Sequence, residues 1–241
     1  GYNGASALLP ASTLFSATPI AALDVRFPLI ALDGASSYLL EPIAQLVYRG
    51  TSTSMVGITN DNAQGFVFED SNLFSFNRFS GSDRQETGLR LNVGGQVMAN
   101  FADQSWLRLI GGRSYQLAGL NAFSMFDHAQ VGNSSGLETT SSVIVAGADA
   151  SFGGGVEAGA KVEFDPARVK VVRAALAAKL DLADFSLSTN YYFLAARPLR
   201  GAMADTNTVS ASLTIPVADY WKASGSVAWD LSARNWSSLS L

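Results

Sequence analysis

The chain contains one histidine, His128, and any general-base chemistry of the Ser–His–acid kind would have to use it. Ser124 and Ser134 are the nearest serines on either side and Asp127 is the adjacent acid. Neither serine stands in a nucleophile elbow, so both read as ordinary loop residues. Asp127 and His128 could also ligate a metal, but two candidate ligands do not make a site. Cysteine is absent, which excludes a disulfide scaffold, a thiolate zinc site and a cysteine nucleophile. The residues therefore argue against an enzyme, with no catalytic, cofactor or metal site expected. A lipid hydrolase built on His128 is the enzyme alternative, and loss of activity on His128→Ala would mark it.

Composition bounds the class. The 241 residues carry 16 Lys+Arg against 20 Asp+Glu, a net charge of −4 that argues against a nucleic-acid partner. Charged residues make up 15 %, well below the ~25 % usual in soluble domains, while 48 % are apolar. Residues 1–23 carry no charge, but Pro10, Pro19 and the many Ser and Thr residues rule out a ~20-residue apolar helix there. No basic-then-apolar leader opens the chain, which reads as beginning mid-stream.

The dominant pattern is alternation with a period of two. Within 155–165, Val156, Ala158, Ala160, Val162 and Phe164 share one parity, while Glu157, Lys161 and Glu163 share the other. Within 84–101, Leu89, Leu91, Val93, Val97, Ala99 and Phe101 oppose Arg84, Glu86, Arg90, Asn92 and Gln96. Residues 185–193, 208–215 and 221–231 repeat the pattern, with Lys222 on the polar parity. Further strands are expected at 20–27, 37–49, 105–118, 140–152, 169–180 and 236–241, about eleven in all. Helical period competes only at 169–180, where the opening valines favour a strand. Leu107 and Leu109 share parity with Arg113, so a bulge at Gly111-Gly112 is expected to bring Arg108 and Arg113 to one face. Pro42 interrupts the 37–49 strand, as a tolerated irregularity or bulge.

Connections form a second regularity. Counting from Ile20, the long ones (50–83, 119–139 and 196–206) are all even-numbered and would emerge on one side of an up-and-down meander, while the odd ones from the third onward are tight turns. Loops sorted in this way, strands of ~9–13 residues and aromatics near strand ends (Phe101, Phe164, Phe185, Trp221, Trp229) suit an outer-membrane β-barrel better than a soluble sandwich. The expected fold is all-β: an antiparallel up-and-down transmembrane β-barrel. An odd strand count, and a chain stopping within a strand, make 1–241 read as part of a larger barrel. Such a piece is not expected to fold alone, because its two edges would be unpaired in hydrocarbon.

The loop at 50–83 is specific in composition. From Asn60 it reads NDNAQGFVFEDSNLFSFNRFSGSDR to Arg84, and resembles the signature of the lipopolysaccharide-assembly outer-membrane protein family (LptD, also called OstA). The matching positions are Asp70, Asn72, Phe74, Asn77, Arg78, Phe79, Gly81, Asp83 and Arg84. LEPIAQLVYR at 40–49 and SYQLAG at 114–119, with Asn121 and Phe123, are similar to two further family segments, and SGLE at 135–138 follows at a fitting distance. Residues 140–241 match only in their barrel-like alternation. The cysteine pairs, periplasmic domain and first barrel strands that such proteins carry are missing from this sequence.

The resemblance implies a C-terminal barrel portion that transports lipopolysaccharide and inserts it into the outer leaflet of a Gram-negative outer membrane. It implies three partners: lipopolysaccharide, the lumen-plugging lipoprotein LptE, and a periplasmic bridge protein reached through the missing domain. It also implies energy supplied elsewhere, without a nucleotide site here. On this reading Glu86, Arg90, Asn92, Gln96, Glu157, Lys161, Glu163 and Lys222 face the lumen, either as partners for an anionic lipid head or as an internal ion-pair ladder. The signature loop either guides the lipid or plugs the barrel, with Phe66, Phe68, Phe74, Phe76 and Phe79 as a small core while Asp70, Arg78, Asp83 and Arg84 pair off. A general porin is the alternative of another class, and predicts passive conductance.

Overall fold

A computed structural model describes residues 18–50, 66–81, 84–125, 132–218 and 221–240. Twelve strands form one antiparallel sheet: β1 (Ile20–Arg26), β2 (Leu29–Asp33), β3 (Ser36–Arg49), β4 (Gly88–Asn100), β5 (Trp106–Ala118), β6 (Ile144–Ser151), β7 (Val156–Asp165), β8 (Lys170–Asp181), β9 (Ser186–Leu194), β10 (Thr206–Ala218), β11 (Trp221–Asp230) and β12 (Asn235–Ser240). From β3 onward every strand pairs with its sequence neighbours, and the described sheet does not close on itself. The ambiguous 169–180 segment is a strand, because β7 and β9 claim its backbone on both sides.

β1 and β2 lie end to end along β3 in one unbroken register, from Ile20 opposite Arg49 to Asp33 opposite Ser36. Pro28 separates them, having no amide to donate to the ladder. The expected first strand therefore extends beyond Phe27, which still donates its amide to the Pro42 carbonyl at 3.2 Å. The return to β3 is a two-residue turn at Gly34-Ala35, with Gly34 at φ +58°. Pro42 needs no bulge: it sits in register opposite Gly95.

Pairing carries one parity across the sheet. Leu29, Leu40, Val97, Leu109, Ala148, Ala160, Leu176, Tyr191, Val209, Trp229 and Trp236 lie side by side, one per strand position, all apolar or aromatic. Many of these side chains are exposed, and Leu176 is half bare at 51 %. A bare apolar band of this extent calls for lipid rather than water. The row Val156–Phe164 belongs to this face. Aromatics pair near its margins, Tyr38 with Phe101 (6.2 Å between ring centroids) and Trp229 with Trp236 (4.7 Å).

The expected bulge at Gly111-Gly112 is absent. β4 and β5 stay in register there, with Gly94 opposite Gly112 and Gly95 opposite Gly111, and the shift falls at Leu89/Arg90 instead. Arg113 therefore stays on the apolar face opposite Val93, away from Arg108. Its charge is met by the Ser142 carbonyl (2.7 Å), the Ser141 hydroxyl (2.8 Å) and the face of Tyr115 (5.4 Å). Those partners make a bulge unnecessary.

The three long connections all leave the same rim, after β3, β5 and β9, while the other rim has only short turns. The described residues of the two longest, 66–81 and 119–125 with 132–143, pack over the face opposite the apolar rows.

The two faces predict opposite responses to charge. In the whole protein refolded into bilayers, Leu176→Arg should cost about 2–4 kcal/mol in a urea titration, whereas Thr208→Arg, on the other face beside Asp230, should cost under about 1 kcal/mol. Equal costs would contradict the assignment of faces.

Candidate functional site

The loop residues 66–81 sit on the polar face because the sheet there offers both space and partners. A 3₁₀ turn, Asp70–Asn72, is closed by its own residues: Asn72 Oδ1 accepts from the Glu69 amide (3.1 Å) and Asn72 Nδ2 donates to the Val67 carbonyl (2.6 Å). The turn rests where the wall has no side chains. A Cβ on Gly147 would lie 2.5 Å from the Asp70 carboxyl group, and one on Gly112 would lie 2.7 Å from Leu73 Cδ2. These inward glycines form a notch that admits Asp70 and Leu73, both buried.

Behind the turn, the loop's aromatic residues meet the second long connection. Phe68, Leu73 and Phe79 form one buried cluster with Phe123, Leu137, Val143 and Val145. Phe79 stacks on Phe123 at 4.4 Å, and Phe66 lies 4.8 Å from the same ring. Phe66 and Phe74 pack at the cluster's edge as expected, but Phe76 does not join it and is 49 % exposed. Phe76 instead contributes its backbone, because Arg90 Nη2 donates to the Ser75 and Phe76 carbonyls, each at 2.7 Å.

Arg78 is the central charge, with a fully buried side chain. Its Nη2 donates to Asn92 Oδ1 (2.6 Å) and to the Ser114 hydroxyl (2.9 Å), and its Nε lies 3.5 Å from Glu86 Oε2. The same Glu86 oxygen accepts the Arg78 amide (3.0 Å) and faces Arg90 at 3.2 Å. The guanidinium also lies over the Phe68 ring at 5.1 Å. Burial pulls Arg78 below the ordinary arginine value while the Glu86 carboxylate opposes it, and an arginine stays charged under both. Asn92 continues the network by donating to Gln45 (2.8 Å), which donates in turn to the Phe74 carbonyl (3.0 Å). Among the described residues Arg78 thus pairs with Glu86, and Asp70 with Lys161. Asn77 joins the loop's two ends, donating to the Arg84 carbonyl (3.3 Å) and accepting the Glu86 amide (3.1 Å).

A second contact pins the turn to β7. Lys161 Nζ donates to Glu69 Oε2 (3.1 Å) and lies 3.7 Å from Asp70 Oδ1. Next to it, Glu163 is buried between Arg173 (3.1 Å) and Arg197 (3.9 Å). Glu69, Asp70, Lys161, Glu163 and Arg173 line a cavity of about 240 Å³ between loop and wall. Gln96 donates to Glu41 at 2.6 Å. Glu157 and Lys222 share the polar face but lie toward the short-turn rim, away from the loop. Gly81 and Arg84 are half-buried at the loop's end. Asp83, Asp127 and His128 lie outside the described residues.

Sequence reading missed several members of this site. Gln45 and Ser114 lie in the family-like segments 40–49 and 114–119, so a signal existed. Gly112, Gly147 and Arg173 had none, since nothing in their neighbours says that a loop lands on them.

Removing the central charge should release the loop. Arg78→Ala leaves Glu86 with Arg90 alone and takes a donor from Asn92 and Ser114, a loss on the order of 1–3 kcal/mol. Hydrogen exchange in 66–81 should rise sharply, and Arg78→Lys should not restore protection because one ammonium cannot replace the fork. Gly147→Val should give the same loss of protection by steric means, and a loop unchanged in both variants would refute this anchoring. Acid should act more gently. Burial raises the Glu69 carboxyl, but the Ser71 hydroxyl and Lys161 outweigh it and hold it below its ordinary 4.5. A depressed carboxylate stabilises docking above that value and loses its contribution as pH falls through the lower folded one. Exchange protection of 69–73 should therefore be flat from pH 7 to about 5 and decline below about 4.5, with Glu69→Gln removing that part of the decline.

Comparison with curated proteins finds no match. The family model of LPS transport system D (LptD) matches residues 10–236, which includes both anchored loops and every described strand through β11. A twelve-stranded antiparallel meander with one apolar face and one loop-packed polar face, matched over nearly its whole length, belongs to the LptD family of outer-membrane lipopolysaccharide-transport β-barrels.

Proposed function

We propose that this chain forms part of the wall of a large β-barrel that delivers lipopolysaccharide into the outer leaflet of a Gram-negative outer membrane. In that barrel the polar face lines the lumen, so Glu86, Arg90, Asn92, Gln96, Glu157, Lys161, Glu163 and Lys222 look inward. The loop residues 66–81, 119–125 and 132–143 close the outer end of this stretch of lumen. The observation that carries the reading is the Arg78 network, which fastens a loop bearing the family signature to the polar wall through buried charge.

A loop held this firmly suits a barrier better than a free lipid guide. A wide barrel without such a barrier would leak, since lumens of large barrels are water-filled unless plugged. The lipoprotein LptE would occupy the lumen from the periplasmic side, and a bridge protein would supply lipid through the periplasmic domain. No step of this work needs bond chemistry from the chain; the wall holds shape, presents polar groups and excludes bulk flow.

Depletion in cells tests the reading. Loss of the protein should keep newly made lipopolysaccharide from the surface, whereas loss of a passive porin would slow solute entry and leave surface lipid unchanged. Complementation with Arg78→Ala should restore surface lipopolysaccharide in part while raising uptake of large antibiotics. Unchanged permeability in that strain would count against the barrier role of the loop.

A further inference from the structure

At the end of the polar face away from the Arg78 network, a trough of about 450 Å³ crosses β5 to β9. Its shape follows from register. Trp106, Ser151, Glu157, Lys179 and Ser188 form one row, and Asp149, Gly159, Ala177 and Asn190 form the next. Gly159 and Ala177 have no long side chains, so the floor is open while the strands stay fully paired. The nearest group to a Cβ on Gly159 would be the Asp149 carboxylate at 3.3 Å.

Trp106 stands against the pattern of its own strand. Leu107 and Leu109 take the apolar face, yet the indole lies on the polar one, 36 % exposed. The Asp149 carboxylate on the neighbouring strand and the Glu157 carboxylate two strands away stand nearest it, and the trough runs on to the Asn190 amide and the Ser188 hydroxyl on β9. Of the cations nearby, Lys161 faces Glu69 at 3.1 Å, and the two at the trough itself also have acids to face, Arg108 with Asp149 at 3.9 Å and Lys179 with Asp181 at 2.9 Å. A phosphate seeks a free guanidinium fork and finds none in these two. An acyl chain gains nothing from carboxylates. A short saccharide fits both halves, because the C–H face of one ring stacks on the indole while hydroxyls along its length donate to the carboxylates and, at the β9 end, accept from the amide. The volume lies within the ~300–1,000 Å³ of small-ligand sites.

The geometry points to a saccharide-binding subsite in this trough, with Trp106 as stacking platform and Asp149, Glu157 and Asn190 as hydrogen-bonding groups. It rests on the transport reading above and names the part of the cargo that touches this wall: uncharged sugar residues, rather than phosphates or acyl chains.

The test uses the full-length protein in detergent and, as probe, core oligosaccharide released from lipid A by mild acid and then dephosphorylated. The wild-type protein should bind it; Trp106→Ala should weaken binding about tenfold and Trp106→Phe by no more than about threefold. Gly159→Leu, which fills the floor and keeps Trp106, should abolish binding, and it serves as the second arm should Trp106→Ala fail to fold. Equal affinity of the wild type and the Gly159→Leu variant would overturn the inference. So would photocrosslinks from position 188 to a lumen-resident protein in place of saccharide. If the oligosaccharide does not bind yet cellular depletion still strips lipopolysaccharide from the surface, the subsite falls and the transport reading stands. If it binds while depletion leaves surface lipopolysaccharide unchanged, the transport reading falls instead.

Discussion

A strand crossing hydrocarbon must give its backbone amides and carbonyls to its neighbours, because no water is present to take them. In this chain that requirement is met by a meander whose registers hold over long runs. The shifts fall at strand ends: Leu89/Arg90, Glu163/Phe164, Pro216/Ala218 and Ala228/Trp229. A shift in mid-strand would exchange the two faces for every residue beyond it. Keeping shifts to the ends lets Leu29 on β2 and Leu239 on β12 share one face across the described sheet. The apolar exterior and the polar interior are consequences of that single regularity.

The polar face is then free to hold a loop, but only where its side chains leave room. Gly112 and Gly147 lie on adjacent rows and open the notch that takes Leu73 and Asp70. Arg78 fills the space beside them and satisfies groups from three separate places in the chain: Glu86 before β4, Asn92 on β4 and Ser114 on β5. A buried guanidinium without these partners would be costly, and with them it makes the docked position the specific one. The apolar cluster around Phe79 and Phe123 adds area without direction. Direction comes from the charge.

Much of this was legible beforehand, for a physical reason. Period-two alternation is local, so Val156–Phe164 and Leu89–Phe101 announce their strands and faces without knowledge of any partner. Connection length is also local, and it sorts the two rims. The errors came where a tertiary partner decides. Arg113 was expected to avoid the apolar face, and it stays there because Ser141, Ser142 and Tyr115 meet it. Pro42 reads as a tolerated irregularity or a bulge, and it is tolerated without a bulge, in register opposite Gly95. Phe76 was placed in the loop's core by its type, but its backbone is what the wall uses.

By itself the amino-acid sequence determined the all-β class, the two faces, the sorting of loops and the family signature, since each depends on residues near one another along the chain. Only the tertiary structure decided which glycines form the notch, that Phe68, Leu73 and Phe79 share one apolar cluster with Phe123, Leu137 and Val143, and that Arg78 reaches Asn92 and Ser114. Those facts join residues up to dozens of positions apart, and the free energy that selects them exists only once the sheet has brought its distant rows together.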